Sequence, residues 1–122
     1  MQTINLNSLD DFAEAYIETA LWSSTDDDGN PLDDDFGIDD IDQATLQTMI
    51  DDCKAFQADH ADDIDQNYKQ AGHDFWLTRN RHGAGFWDGD WENQAGKRLT
   101  QASNNYGSFD LYIGDDGMIY GQ

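Results

Sequence analysis

The sequence predicts an α+β fold: two N-terminal helices followed by a β-β-α-β-β unit whose strands make a small antiparallel sheet. Three observations carry that expectation. Apolar residues recur at helical spacing through the first half. Two aromatic runs flank the turn-like "RHGA" in the second. The end of the chain, "FDLYIGDDGMIYG", alternates on either side of Asp116-Gly117. At 122 residues the chain has the length of a single domain, residues 1–122. By composition it divides into an acidic helical part, residues 1–66, and an aromatic, β-rich part, residues 67–122.

The first helix is expected over residues 9–22, where Leu9, Phe12, Ala13, Tyr16, Ile17 and Ala20 share a face. Ser8 stands where an N-cap belongs, with Asp11 three residues on as a shortened capping-box acid. Asp10, Glu14 and Glu18 line another face at i, i+4 spacing, each like-charge pair costing roughly 0.2–0.5 kcal/mol in an isolated helix. Residues 23–41 read as an Asp-rich loop punctuated by Gly29, Pro31 and Gly37. A second helix is expected over residues 43–63. Leu46, Met49, Ile50, Cys53, Phe56, His60 and Ile64 form its apolar stripe, and Asp51, Asp52, Asp59, Asp62, Asp63 and Asp65 project away from it. "HDFWLTRN" and "GFWDGDW" then make a hairpin across "RHGA". "NQAGKRLTQASNNYG" makes a short helix stopped at Gly107. In the last hairpin Phe109, Leu111 and Ile113 run out, Asp116-Gly117 turns, and Met118 to Tyr120 return.

Charge sets the first limits on function. Residues 1–66 carry nineteen acids and a single base, Lys54, a net of −18; residues 67–122 carry seven acids and five bases, a net of −2. Nine of the eighteen residues from Thr25 to Asp42 are aspartate. A field of one sign over half a small protein repels nucleic acid and membrane surfaces and attracts basic partners. Neither nucleic acid nor membrane is therefore expected as a direct ligand. The lone Cys53 fits a reducing cytoplasm and reads as a small buried apolar residue. "MQTINLNSLDDF" lacks the basic and apolar regions of a secretory leader.

Several chemistries lack their motifs. No GxxxxGK[ST], GxGxxG or GxSxG occurs. "SSTDDDGNPLDDD" invites comparison with a calcium loop. With Gly29 as its sixth residue, however, position one falls on Ser24 and position twelve on Asp35, where an acid and a bidentate Glu are needed. No metal and no cofactor is assigned. His73 and His82 bracket the expected first hairpin with Asp74, Arg79, Asn80, Arg81 and Asp88 nearby. Converging imidazoles are what an acid/base pair or a metal site requires, while hydrogen bonds within the turn and ion pairs explain the same residues. Trp76, Phe86, Trp87 and Trp91 suit either ring stacking or core packing.

The acids themselves remain. Salt adaptation spreads charge over the whole surface, whereas imitation of a polyanion concentrates it. Asp51 to Asp65 spans ~22 Å of helix, one acid per ~3.7 Å, against one phosphate per ~3.4 Å along a DNA strand. A solvated acidic face is the plain alternative.

"AGHDFWLTRNRHGAGFWD", "RLTQASNNYG" and "DLYIGDDGMIYG", together with "ALWSSTDDDGNPLDD" and "DDCKAFQ", resemble a family of small proteins encoded by tailed bacteriophages. The resemblance covers most of residues 20–121. It implies no catalytic residues, because that family has no settled activity. It also implies a basic residue soon after "GFWD", where this chain has Gly89 and Asp90.

The expectation is thus a non-enzymatic, phage-encoded inhibitor in the cytoplasm of a bacterial host. It would mimic DNA, bind a basic nucleic-acid-handling protein of restriction, CRISPR, other defence or repair, and block its nucleic-acid site. The expected contact residues are Asp10, Glu14, Glu18, Asp26, Asp27, Asp28, Asp33, Asp34, Asp35, Asp39, Asp40, Asp51, Asp52, Asp59, Asp62 and Asp63. Two alternatives stay open: a small metal-dependent or acid/base enzyme centred on His73 and His82, and a generic acidic interaction domain or salt-adapted protein. The oligomeric state is open, a homodimer included.

Overall fold

The computed structural model describes residues 9–26, 28–81, 85–86 and 91–122. They form helices α1 (Asp11–Ser23), α2 (Gln43–Asp59), α3 (Ala61–Ile64), α4 (Tyr68–Arg79) and α5 (Asn93–Tyr106), then strands β1 (Leu111–Ile113) and β2 (Ile119–Gly121). Two short 3-10 turns, Leu32–Asp34 and Ile38–Asp40, shape the connection between α1 and α2. The expected Ser8 cap lies outside the described residues. Asp10 caps α1 instead, its carboxylate accepting from the Ala13 N–H at 2.8 Å.

The α+β expectation is overturned: the protein is mostly helical, with one two-stranded sheet among the described residues, at the C-terminal end. "HDFWLTRN" is not a strand but the second half of α4. Aromatic and β-branched residues favour strands, but here tertiary packing decides. Asp74 to Arg79 are six consecutive buried residues, so this part of the helix has no exposed stripe and shows no 3.6-residue period. Of the expected second arm, Gly85, Phe86 and Trp91 are described and none lies in a strand. The rest of that arm and the turn at His82 lie outside the described residues.

α4 is the central element. Its Gly72 sits against the backbone of α1, where a Cβ would overlap the Phe12 carbonyl oxygen. The two helices therefore meet closer than any other residue at position 72 permits. Phe12, Tyr16, Phe56, Phe75, Trp76 and Phe86 are all fully buried. Phe56 of α2 stacks on Phe75 of α4 at 4.1 Å between centroids and on Phe86 at 5.8 Å, joining three parts of the chain through one ring. Such ring pairs add about 0.5–1.5 kcal/mol each beyond the area they bury.

The second helix is shorter than its expected span. It ends at Asp59; His60 leaves helical geometry (φ −130°, ψ 26°) and its carbonyl accepts from the N–H groups of both Asp63 and Ile64. The break redirects the chain so that Ile64 reaches the core. The terminal hairpin is present, with Leu111 opposite Gly121, Tyr112 opposite Tyr120 and Ile113 opposite Ile119. Gly117 turns it at φ +81°, a conformation natural to glycine. Asp42 then ties the sheet to the helices, its N–H donating to the Ile119 carbonyl at 2.8 Å.

Candidate functional site

The sixteen acids expected to form a contact surface fall into two kinds. Some hold the fold. Asp10 caps α1 and also accepts from Gln57 Nε2 of α2 at 3.1 Å. Asp26 accepts the N–H groups of Asp28 and Asn30, both at 2.9 Å, and so folds the tip of the loop onto its own carboxylate. Asp40 accepts from the Gly37 N–H at 2.8 Å and Asp51 from Gln47 Nε2 at 2.8 Å. Asp52 is half-buried and pairs with Arg79 at 2.9 Å. Asp63 takes a two-pronged bond from Arg98, at 2.6 and 2.9 Å. That bond lowers the Asp63 pKa below the ordinary aspartate value.

The others are free. Glu14, Glu18, Asp28, Asp33, Asp34, Asp35, Asp39, Asp59 and Asp62 are exposed. No basic side chain among the described residues pairs with them. Asp27 lies outside the described residues. The continuous carboxylate row expected along 51–65 does not form. The helix breaks at His60, Arg79 neutralises Asp52, Arg98 neutralises Asp63, and Asp65 sits beyond α3 at φ +54°.

The structure gathers free acids in two places. Glu14 and Glu18 of α1 and Asp33 of the first 3-10 turn border one groove, whose walls are Leu9, Ile17, Leu21, Trp22, Phe36 and Ile38. Asp59 and Asp62 border a second, smaller hollow beside His60, Asp63 and Arg98. The apolar part of the first groove was missed in the sequence. Its signal was there in Phe36 and Ile38, two apolar residues at i, i+2 inside an Asp-rich loop, and in Trp22 at the end of the first helix.

Of the histidine constellation, the described members are placed as follows. Arg79 turns into the core and donates to the Tyr16 hydroxyl at 2.9 Å, to Asp52 and to the Gly107 carbonyl at 2.8 Å. Arg81 is exposed at φ +57°. His73 pairs through Nδ1 with Asp74 at 3.0 Å and stacks at 30° on Trp22, 6.0 Å away between centroids. Asp74 is 2% exposed and also accepts from Gln70 Nε2 at 2.9 Å and Trp91 Nε1 at 2.7 Å, so its four lone-pair directions are largely satisfied. His82, the expected partner, lies outside the described residues.

Burial pushes the Cys53 thiol and the Tyr16 phenol well above their ordinary values, which makes both poor nucleophiles at neutral pH. Among the described residues no three His, Cys, Asp or Glu side chains converge as metal ligands, and no helix is long and apolar enough to cross a membrane. Comparison of the chain with protein-family models, with curated proteins and with solved structures gives no match.

Proposed function

We propose that this protein is a non-enzymatic, phage-encoded inhibitor whose acidic surface binds a basic nucleic-acid-handling protein of the host and occludes its nucleic-acid site. One observation carries the reading: nine exposed carboxylates of the helices and the Asp-rich loop have no basic partner among the described residues. Unpaired like charges repel one another and destabilise the fold; a basic partner removes that repulsion and releases counterions on both sides. The contact set is smaller than the full roll of acids. It comprises Glu14, Glu18, Asp28, Asp33, Asp34, Asp35, Asp39, Asp59 and Asp62. Asp10, Asp26, Asp40, Asp51, Asp52 and Asp63 serve the fold.

The test is capture of partners from bacterial lysate at about 50 mM and about 200 mM salt, followed by competition with duplex DNA for each captured protein. Basic partners that bind at low salt, release at high salt and exchange for DNA support the reading. Capture that is indifferent to salt and to DNA removes it. A second reading, an acid/base enzyme at His73, draws on the buried Asp74 that orients the imidazole. His73→Ala distinguishes them: inhibition of the captured partner is unchanged if the surface is the function and is lost if the imidazole is.

A further inference from the structure

The groove between α1 and the Asp-rich loop is unlike the rest of the acidic surface. It encloses about 740 Å³, within the range of sites that seat a ligand. Ile17 and Leu21, both buried, line it together with Phe36 and Ile38, which stand partly exposed. Trp22 at its lip is 46% exposed. Glu14, Glu18 and Asp33 border this apolar surface, and none has a basic partner among the described residues. A pure phosphate imitation has no use for an apolar trough, because phosphates present charge and hydrogen-bond acceptors but no apolar surface.

We infer that the groove docks a segment of the basic partner in which large apolar side chains are flanked by Lys or Arg, in the manner of an amphipathic helix laid into a groove. The inference rests on the reading of an acidic surface that meets a basic protein, and adds how that protein is gripped. Charge complementarity selects the occupant. The apolar base takes the Leu, Met or Phe anchors, and the three carboxylates at the border take the cations on either side. The two contributions respond oppositely to salt. The ionic part is screened at about 1 M salt, where the Debye length is about 3 Å, and the apolar part persists.

Gly37 lines the groove, has ordinary backbone geometry (φ −125°), and a Cβ built on it meets nothing within 4 Å. Gly37→Leu therefore adds bulk at the groove without a clash, and an unchanged melting temperature verifies that the fold is unstrained. The probes are two synthetic helix-forming peptides of equal length and charge. One has leucines along one face with lysines beside them; in the other, serines replace the leucines. The Lys/Leu peptide is expected to bind the full chain about tenfold tighter than the Lys/Ser peptide and to keep that preference at about 1 M salt, where both affinities have fallen. Gly37→Leu and Trp22→Ala are each expected to weaken the Lys/Leu peptide about tenfold and leave the Lys/Ser peptide unchanged.

Equal binding of the two peptides overturns the groove while leaving the acidic-surface reading in place. Failure of both peptides at low salt removes both. A Lys/Leu affinity that Gly37→Leu does not change also overturns the inference. So does a dimer that Gly37→Leu dissociates, since a second copy is then the occupant. A tenfold gain in Lys/Leu affinity on replacing Ile4 and Leu6 by serine in the full chain assigns the groove to residues 1–8 and overturns it too.

Discussion

Arg79 carries a guanidinium into the core, 4% exposed, beneath the rings of Phe75, Tyr106 and Phe109 at 5.4 to 5.6 Å. It supplies donors to Tyr16, Asp52 and the Gly107 carbonyl at once. Arg79→Ala strands those acceptors and is expected to cost about 3–5 kcal/mol, read by urea denaturation. Arg79→Met keeps the packing and is expected to cost less. None of this is local. The partners lie 63, 27 and 28 residues away in the chain, so an arginine in "LTRNR" looks the same in sequence whether it faces water or the core. Asp63 behaves differently because its partner, Arg98, is exposed. Its folded pKa lies below the ordinary 3.8. The pair therefore contributes stability above that ordinary value, and loses it as pH falls through the lowered one. Arg98→Ala is expected to return the Asp63 titration to the ordinary range, as followed by carboxylate NMR.

Helices α1 and α2 were legible because each exposes one face, and water imposes the alternation that a periodic pattern records. Their ends were less so: Asp10 rather than Ser8 is the described cap of α1, and α2 stops four residues early at His60. α4 was misread for the opposite reason, since its second half, Asp74 to Arg79, is buried on every side and has no pattern to show. Its seat against α1 depends on Gly72. Gly72→Ala would push a methyl into the Phe12 carbonyl, a backbone atom that cannot swing aside. The expected loss is about 3 kcal/mol despite the better helix propensity of alanine, checked by thermal melting. The terminal hairpin was legible down to its turn, because alternation and Asp-Gly are local signals. There the Tyr120 hydroxyl donates to Asp116, which raises the phenol's pKa to about 12. A raised folded value means that this contribution is whole below the ordinary phenol value of about 10 and is lost as pH rises through about 12. Asp116→Asn is expected to bring the phenolate absorbance transition down towards the ordinary value.

Across the whole molecule, a net charge of −20 sets a constant self-repulsion against the aromatic core. Adding salt is expected to raise the melting temperature by about 4 °C or more, because screening weakens repulsion among exposed acids more than it weakens the partly buried Arg79–Asp52 pair. The triple variant Glu14→Gln, Glu18→Gln, Asp33→Asn is expected to raise thermal stability slightly and to weaken binding of the basic partner, a division of stability from function that calorimetry and binding measurements together will test. The sequence by itself determined how much charge the protein carries, where along the chain it lies, and which half-exposed segments coil. Composition and local periodicity are written residue by residue. Only the tertiary structure decided that α4 is a helix, which carboxylates cap, pair or stand free, and that acids from α1 and the Asp-rich loop border an apolar groove. Each of those depends on which distant segments meet, and the period of a sequence records contact with water, not contact with another part of the chain.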